Sequence, residues 1–253
     1  MLVLLLGSMN VEAQNDLFVQ DTSFKVFANG NPMRMGFSGG FNTPQTSLAD
    51  LNNDGKNDLI IYEKQGEQIK TFINYGVNGN PDYRYEAKYA ANFPYINSYL
   101  ALLDYNCDGI ADLFHRGVSG YTVYRGYFNA SNQLCFQYYR ELWYPVSNGW
   151  DNAYCDPSDV PGIADIDGDG DLDFLGFSIL GSYIQYYRNL RVEQNLPCDS
   201  IRVELADKCW GKIYQGFQMT QTLGITCAPN RPSGSINNGL EADHLSESQA
   251  KTT

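Results

Sequence analysis

The chain has 253 residues, 43% of them hydrophobic, which is enough for one sizeable domain with or without tails. Its formal charge of −12 disfavours nucleic acid and anionic membrane surfaces as partners. Tyrosine (19), phenylalanine (13) and glycine (24) are frequent, and no long stretch has helical periodicity, so an all-β chain is expected.

Residues 1–14, MLVLLLGSMNVEAQ, hold a short apolar run and then a small-x-small site at Val11-Glu12-Ala13. Residues 1–13 are read as a secretory signal peptide whose basic start is missing; a buried first strand is the alternative. The run is too short to span a bilayer, and no other segment offers a span. Further on, a short apolar strand at 47–49 enters the acidic loop Asp50-Leu-Asn52-Asn-Asp54-Gly55-Lys56-Asn-Asp58. A second strand leaves it at 59–62, a Gly66-centred turn follows, and a third strand spans 69–75. A polar–aromatic segment at 83–89 can add a fourth strand.

The order then recurs. Residues 100–103 enter Asp104-Tyr-Asn106-Cys107-Asp108-Gly109-Ile110-Ala-Asp112, and 113–114, 121–124 and 135–139 follow as strands. Residues 162–164 enter Asp165-Ile-Asp167-Gly-Asp169-Gly170-Asp171-Leu-Asp173, with 174–177 and 183–187 after it. Four short strands per unit at this period predict propeller blades.

Each loop places oxygen side chains at positions 1, 3, 5 and 9 and glycine at 6. That register suits a hard divalent cation, and calcium is the expected ion. Alternate side chains of a tight loop converge, and glycine turns the backbone sharply at low cost. Position 7 can offer its carbonyl, so its side chain is free to vary. Crowded carboxylates would repel one another without a cation. An EF-hand is excluded, because position 12 is Ile61, His115 or Gly176 rather than glutamate, and the flanks are strand-like. A lone Asp/Asn/Gly cluster can be merely a turn, but three in one register favour metal. The third loop, with five aspartates, should bind most tightly.

Six cysteines fit an oxidising compartment. A bridge within the trio Cys198, Cys209 and Cys227 is plausible, and Cys107 at loop position 4 points away from the cation. No CxxC spacing supports zinc or thiol redox chemistry.

These loops and strands resemble the FG-GAP/VCBS-repeat β-propellers, including integrin α-subunit repeats and secreted repeat proteins of Bacteroidetes type. Gly39-Gly40-Phe41-Asn42-Thr43-Pro44-Gln45 stands where that family has a Gly-Ala-Pro-like element before the loop. The resemblance implies an all-β, propeller-like fold over 14–227, with blades near 42–95, 96–155 and 156–227. It implies about three structural calcium ions. Their ligands would be Asp50, Asn52, Asp54, Lys56 (carbonyl) and Asp58; Asp104, Asn106, Asp108, Ile110 (carbonyl) and Asp112; and Asp165, Asp167, Asp169, Asp171 (carbonyl) and Asp173. The family usually has seven blades. Three recognisable four-stranded blades, a partial fourth from 199–227 and an edge strand from 21–41 would leave an incomplete propeller. Residues 228–253 lack aromatics and are expected to be a disordered polar tail. A truncated reading frame is the expected origin, and open blade edges would favour self-association.

No GxSxG, HExxH or phosphate-binding glycine loop is present. His244 lies in the tail, and His115 is read as structural. Trp143, Tyr144, Trp150 and Tyr154 are read as blade packing, with a platform for sugar or protein as the alternative. The expected function is a secreted or cell-surface calcium-binding module, non-catalytic, that binds an extracellular glycan or protein. A polysaccharide-cleaving propeller enzyme and a non-functional fragment of a longer surface protein are the alternatives.

Overall fold

A computed structural model describes residues 25–33, 35–36, 38–118, 120–216 and 220–225. The expected signal peptide, the polar tail, His244 and Cys227 lie outside the described residues. The chain divides into two units, residues 1–39 and 40–253. In the first, β1 (Phe27–Ala28) and β2 (Asn31–Pro32) form a small antiparallel ribbon.

The second unit is all-β, with three antiparallel four-stranded sheets in which neighbours in sequence are neighbours in space. The first sheet holds β3 (Pro44–Ala49), β4 (Asp58–Glu63), β5 (Gln68–Asn74) and β6 (Tyr83–Tyr85). The second holds β7 (Leu100–Leu103), β8 (Asp112–Arg116), β9 (Tyr121–Phe128) and β10 (Leu134–Glu141). Between the second and third sheets, β11 (Trp143–Val146) and β12 (Gly149–Asn152) form a separate hairpin. The third sheet holds β13 (Gly162–Ala164), β14 (Asp173–Phe177), β15 (Ile184–Asn189) and β16 (Val203–Asp207). A last ribbon pairs β17 (Ile213–Gln215) with β18 (Gln221–Leu223).

Three expectations change. Residues 203–207 are hydrogen-bonded to β15, so they complete the third sheet instead of opening a fourth. The segment 83–89 stops being a strand at Tyr85 and becomes a 3-10 turn over Ala87–Asn92. Among the described residues, nothing from 25–41 pairs as an edge strand with a four-stranded sheet.

Alternation along the strands explains the packing. Leu113 joins a core cluster with Leu51, Ile60 and Tyr62 of the first sheet's region. Its neighbour Phe114 points the other way, into a cluster with Phe174, Tyr187 and Val203 of the third. The second sheet is thus covered on both faces, which is why β8 is buried almost throughout. The first strands of consecutive sheets are also linked. The Gln45 amide donates to the Ser98 carbonyl at 3.3 Å and accepts the Leu100 N–H at 3.1 Å. The buried Glu63 carboxylate accepts N–H groups from Asn42 and Thr43 at 2.7 and 2.9 Å, tying the Gly-rich approach segment to the end of β4.

Cys198 does not stay within its local trio: it is bonded to Cys107, 91 residues earlier, with Cα atoms 5.8 Å apart. Cys209 is also in a disulfide. The Cys107–Cys198 bond ties the second acidic loop to the segment between β15 and β16. Closing so long a loop constrains the unfolded chain, so Cys107→Ser with Cys198→Ser should lose about 2–4 kcal/mol in urea unfolding. An unchanged midpoint would mean that this closure contributes nothing.

Candidate metal centres in the acidic loops

Each acidic loop joins the first strand of a four-stranded sheet to the second. Two residues per loop have left-handed backbone. At position 6 these are Gly55, Gly109 and Gly170, with φ of 79°, 80° and 93°. At position 4 they are Asn53, Cys107 and Gly168, with φ of 58°, 63° and 86°. Position 6 was legible in the sequence; position 4 was less so, because Asn53 and Gly168 suit a left-handed backbone but Cys107 gives no such signal.

The first aspartate organises each loop. Asp50, Asp104 and Asp165 accept the N–H of the position 6 glycine at 2.7, 2.9 and 3.1 Å. The position 5 carboxylate accepts the N–H of position 7 at 3.0, 2.8 and 2.9 Å. Three loops of different composition therefore share one hydrogen-bond plan.

Position 9 is the deepest. Asp58, Asp112 and Asp173 are fully buried at 0% exposure. In each, one oxygen accepts the N–H of position 2: Leu51 at 2.8 Å, Tyr105 at 3.1 Å and Ile166 at 3.0 Å. The other accepts an N–H from the third strand: Asn74 at 2.7 Å, Gly126 at 2.8 Å and Asn189 at 2.8 Å. The carboxylate clamps the loop entrance to a strand two places along the sheet. Gly126 fits this role because a Cβ there would stand 2.1 Å from the Ala111 carbonyl oxygen.

The loops differ in how well they gather carboxylates. In the third, oxygens of Asp165, Asp167 and Asp173 lie within 4.8 Å of one another. Asp167, Asp169 and Glu193 form a second such group. Glu193 was missed in the sequence, since it comes from the turn after β15 and fits no loop register. In the first two loops position 3 is asparagine, which supplies a neutral oxygen. The Asn52 Oδ1 is sealed from solvent and has no hydrogen-bond partner, and the same holds for Asp169 Oδ2. In the third loop, a sealed, unpartnered oxygen beside converging carboxylates is the donor set a calcium ion takes; among the described residues the first two loops bring no three such groups that close together.

Electrostatics point the same way. Burial pushes the Asp112 carboxyl up to about 6, against the N–H groups of Gly126 and Tyr105, and Asp108 and Asp104 add repulsion. Burial likewise raises Asp58 and Asp173 above the ordinary carboxylate range. A cation among these groups would offset what burial and mutual repulsion cost.

Position 7 side chains go elsewhere. Lys56 stands 3.8 Å from Asp54 at the surface, and Ile110 packs against the core cluster between the first two sheets. Asp171 turns inward, where it accepts the Val192 N–H at 3.2 Å and faces Arg191 at 3.8 Å. Burial first, then Asp169 and Asp173, push its carboxyl up to about 6.

His115 is buried on β8, both ring nitrogens lack partners, and its ring meets Tyr124 at 5.5 Å. Burial pushes it down to about 4. The unfolded chain takes a proton near pH 6.5, while the folded chain resists until about 4. Stability from this group is complete above the unfolded value and falls with acid. Wild type should lose about 2 kcal/mol more than His115→Phe between neutrality and about pH 5. Parallel urea titrations check this; equal slopes would mean that the imidazole is hydrated.

Among the described residues, no helix is long and apolar enough to cross a membrane. The chain matches no protein-family model, and no curated protein is significantly similar to it.

Proposed function

We propose that the chain is a secreted or cell-surface module of β-propeller type, stabilised by calcium and non-catalytic, that binds an extracellular glycan or protein. One observation carries the reading: three meander sheets each place the same acidic loop between their first and second strands, closed by the same buried aspartate. Consecutive sheets share core clusters, and the first strands of the first two are linked through Gln45, as adjoining blades require. The Cys107–Cys198 disulfide supports an oxidising, extracellular setting.

The calcium ions act on structure in this reading. Each would be held by positions 1, 3, 5 and 9 and the position 7 carbonyl, and would neutralise carboxylates the fold has crowded together. Calorimetric calcium titration should reveal about three sites. The strongest should be lost in Asp167→Asn, since that change removes one carboxylate from both acidic groups of the third loop. No heat at millimolar calcium would end the proposal.

A further inference from the structure

The hairpin of β11 and β12 directs its side chains alternately inward and outward. Tyr144 faces the core, 6% exposed, with its ring 5.6 Å from Tyr187. Trp143 and Trp150 share the opposite face, diagonal across the register set by Trp143↔Asn152 and Pro145↔Trp150. They are 42% and 62% exposed. The aromatic cluster of residues 143–154 therefore divides: Tyr144 packs, and the two indoles remain at the surface.

Both indoles line a cleft of about 250 Å³, together with Tyr139, Arg140, Ile201 and Arg202. The arginines are distinctive. Elsewhere among the described residues, guanidinium groups find oxygen: Arg84 at Asp82, Arg116 at the Cys155 carbonyl, Arg125 at the Tyr105 hydroxyl, Arg188 at Glu204 and Arg191 at the Gly170 carbonyl. Arg140 and Arg202 are the two described arginines whose guanidinium groups have no such acceptor. Both line this cleft, in a chain of net charge −12. In a molecule so rich in carboxylates, two guanidinium groups without an oxygen acceptor, that of Arg140 lying 5.8 Å over the Tyr139 ring, beside two exposed indoles describe a ligand with complementary parts.

We infer that the cleft binds a carboxylate-bearing sugar, a single uronic acid unit of an acidic glycan, whose contact with the two arginines must outweigh the long-range repulsion from a chain of net charge −12. Its carboxylate would take the paired N–H donors of a guanidinium, the geometry that makes arginine selective for planar anions. The apolar C–H face of its ring would lie on an indole. The volume is small for an organic-ligand pocket and suits a single ring unit of a longer chain leaving over the surface. A bare phosphate would satisfy the arginines and leave both indoles in water. This inference rests on the binding-module reading above, and it does not depend on calcium occupancy.

The test titrates the full chain, at fixed calcium, with a short oligogalacturonate, with its methyl ester and with a glutamate-rich peptide. Tryptophan fluorescence and calorimetry report binding. The oligogalacturonate should bind at least about tenfold more tightly than the ester, since the ester removes the charge the arginines recognise. Arg140→Gln with Arg202→Gln should weaken it by at least about tenfold at an unchanged melting temperature. Trp143→Ala with Trp150→Ala should abolish both the signal and the binding. Absence of binding, equal binding by the arginine variant, or tighter binding of the peptide would overturn the site. Cleavage of the bound oligosaccharide would support the site and overturn the non-catalytic reading instead.

Discussion

Adding a chelator should lower the melting temperature more than any single substitution does. A site filled at a hundredfold excess of calcium over its dissociation constant contributes about 2.7 kcal/mol, so three sites contribute about 8 kcal/mol. That rivals the whole stability of an ordinary domain. At 2–4 °C per kcal/mol for a domain of this size, the fall should be on the order of 15 °C or more. The cause is visible in the loops. Asp58, Asp112 and Asp173 are all raised above the ordinary carboxylate range, by burial first and by neighbouring carboxylates after it. Scanning calorimetry in calcium and in chelator measures the difference. A shift of only one or two degrees would mean that the loops are turns stabilised by their own hydrogen bonds alone.

The second large effect belongs to position 9 and survives without calcium. Asp112→Asn and Asp173→Asn keep the shape of the side chain but turn one oxygen into an amide N–H₂. Each original oxygen accepts a backbone N–H, so one donor would then face another in a fully buried site. A buried, unsatisfied donor costs about 1–3 kcal/mol, and losing a charged acceptor raises the expected total to about 3–5 kcal/mol. Urea unfolding with and without calcium separates the contributions. The position 9 variants should keep most of this loss in chelator, where only the clamp is at stake, and lose more again in calcium, because position 9 is also one of the proposed ion ligands. Asp167→Asn, whose side chain is exposed, should lose stability only when calcium is present. If the position 9 loss also vanishes in chelator, these aspartates serve the ion and not the clamp.

Local chemistry made much of this fold readable. Strands on either side of each acidic loop are marked by short apolar runs, and β4, β8 and β14 begin at the position 9 aspartate. Position 6 needs a left-handed residue and is glycine each time. What escaped depends on distance or on disguise. The Cys107–Cys198 pairing spans 91 residues and follows from how the second and third sheets approach, which no local pattern encodes. The fourth strand of the third sheet reads in sequence as the start of another blade, because the turns over residues 190–202 separate it from β15. Glu193 belongs to that same excursion and reaches the third loop only through folding. The β11–β12 hairpin was invisible as a unit, since Trp143, Tyr144 and Trp150 look alike in composition. Only the register shows which ring is inside.

Position 2 of the first two loops gives these turns an unusual kind of rigidity. Leu51 and Tyr105 each sit between an aspartate and an asparagine, yet they are 0% and 5% exposed, and their N–H groups are held by buried aspartates. An outer turn of the chain is thus plugged into the interior like a stopper. It cannot swing open without pulling an apolar side chain into water. Amide hydrogen exchange at these two residues is therefore governed by the opening of the core, not by the fluctuations of a surface turn.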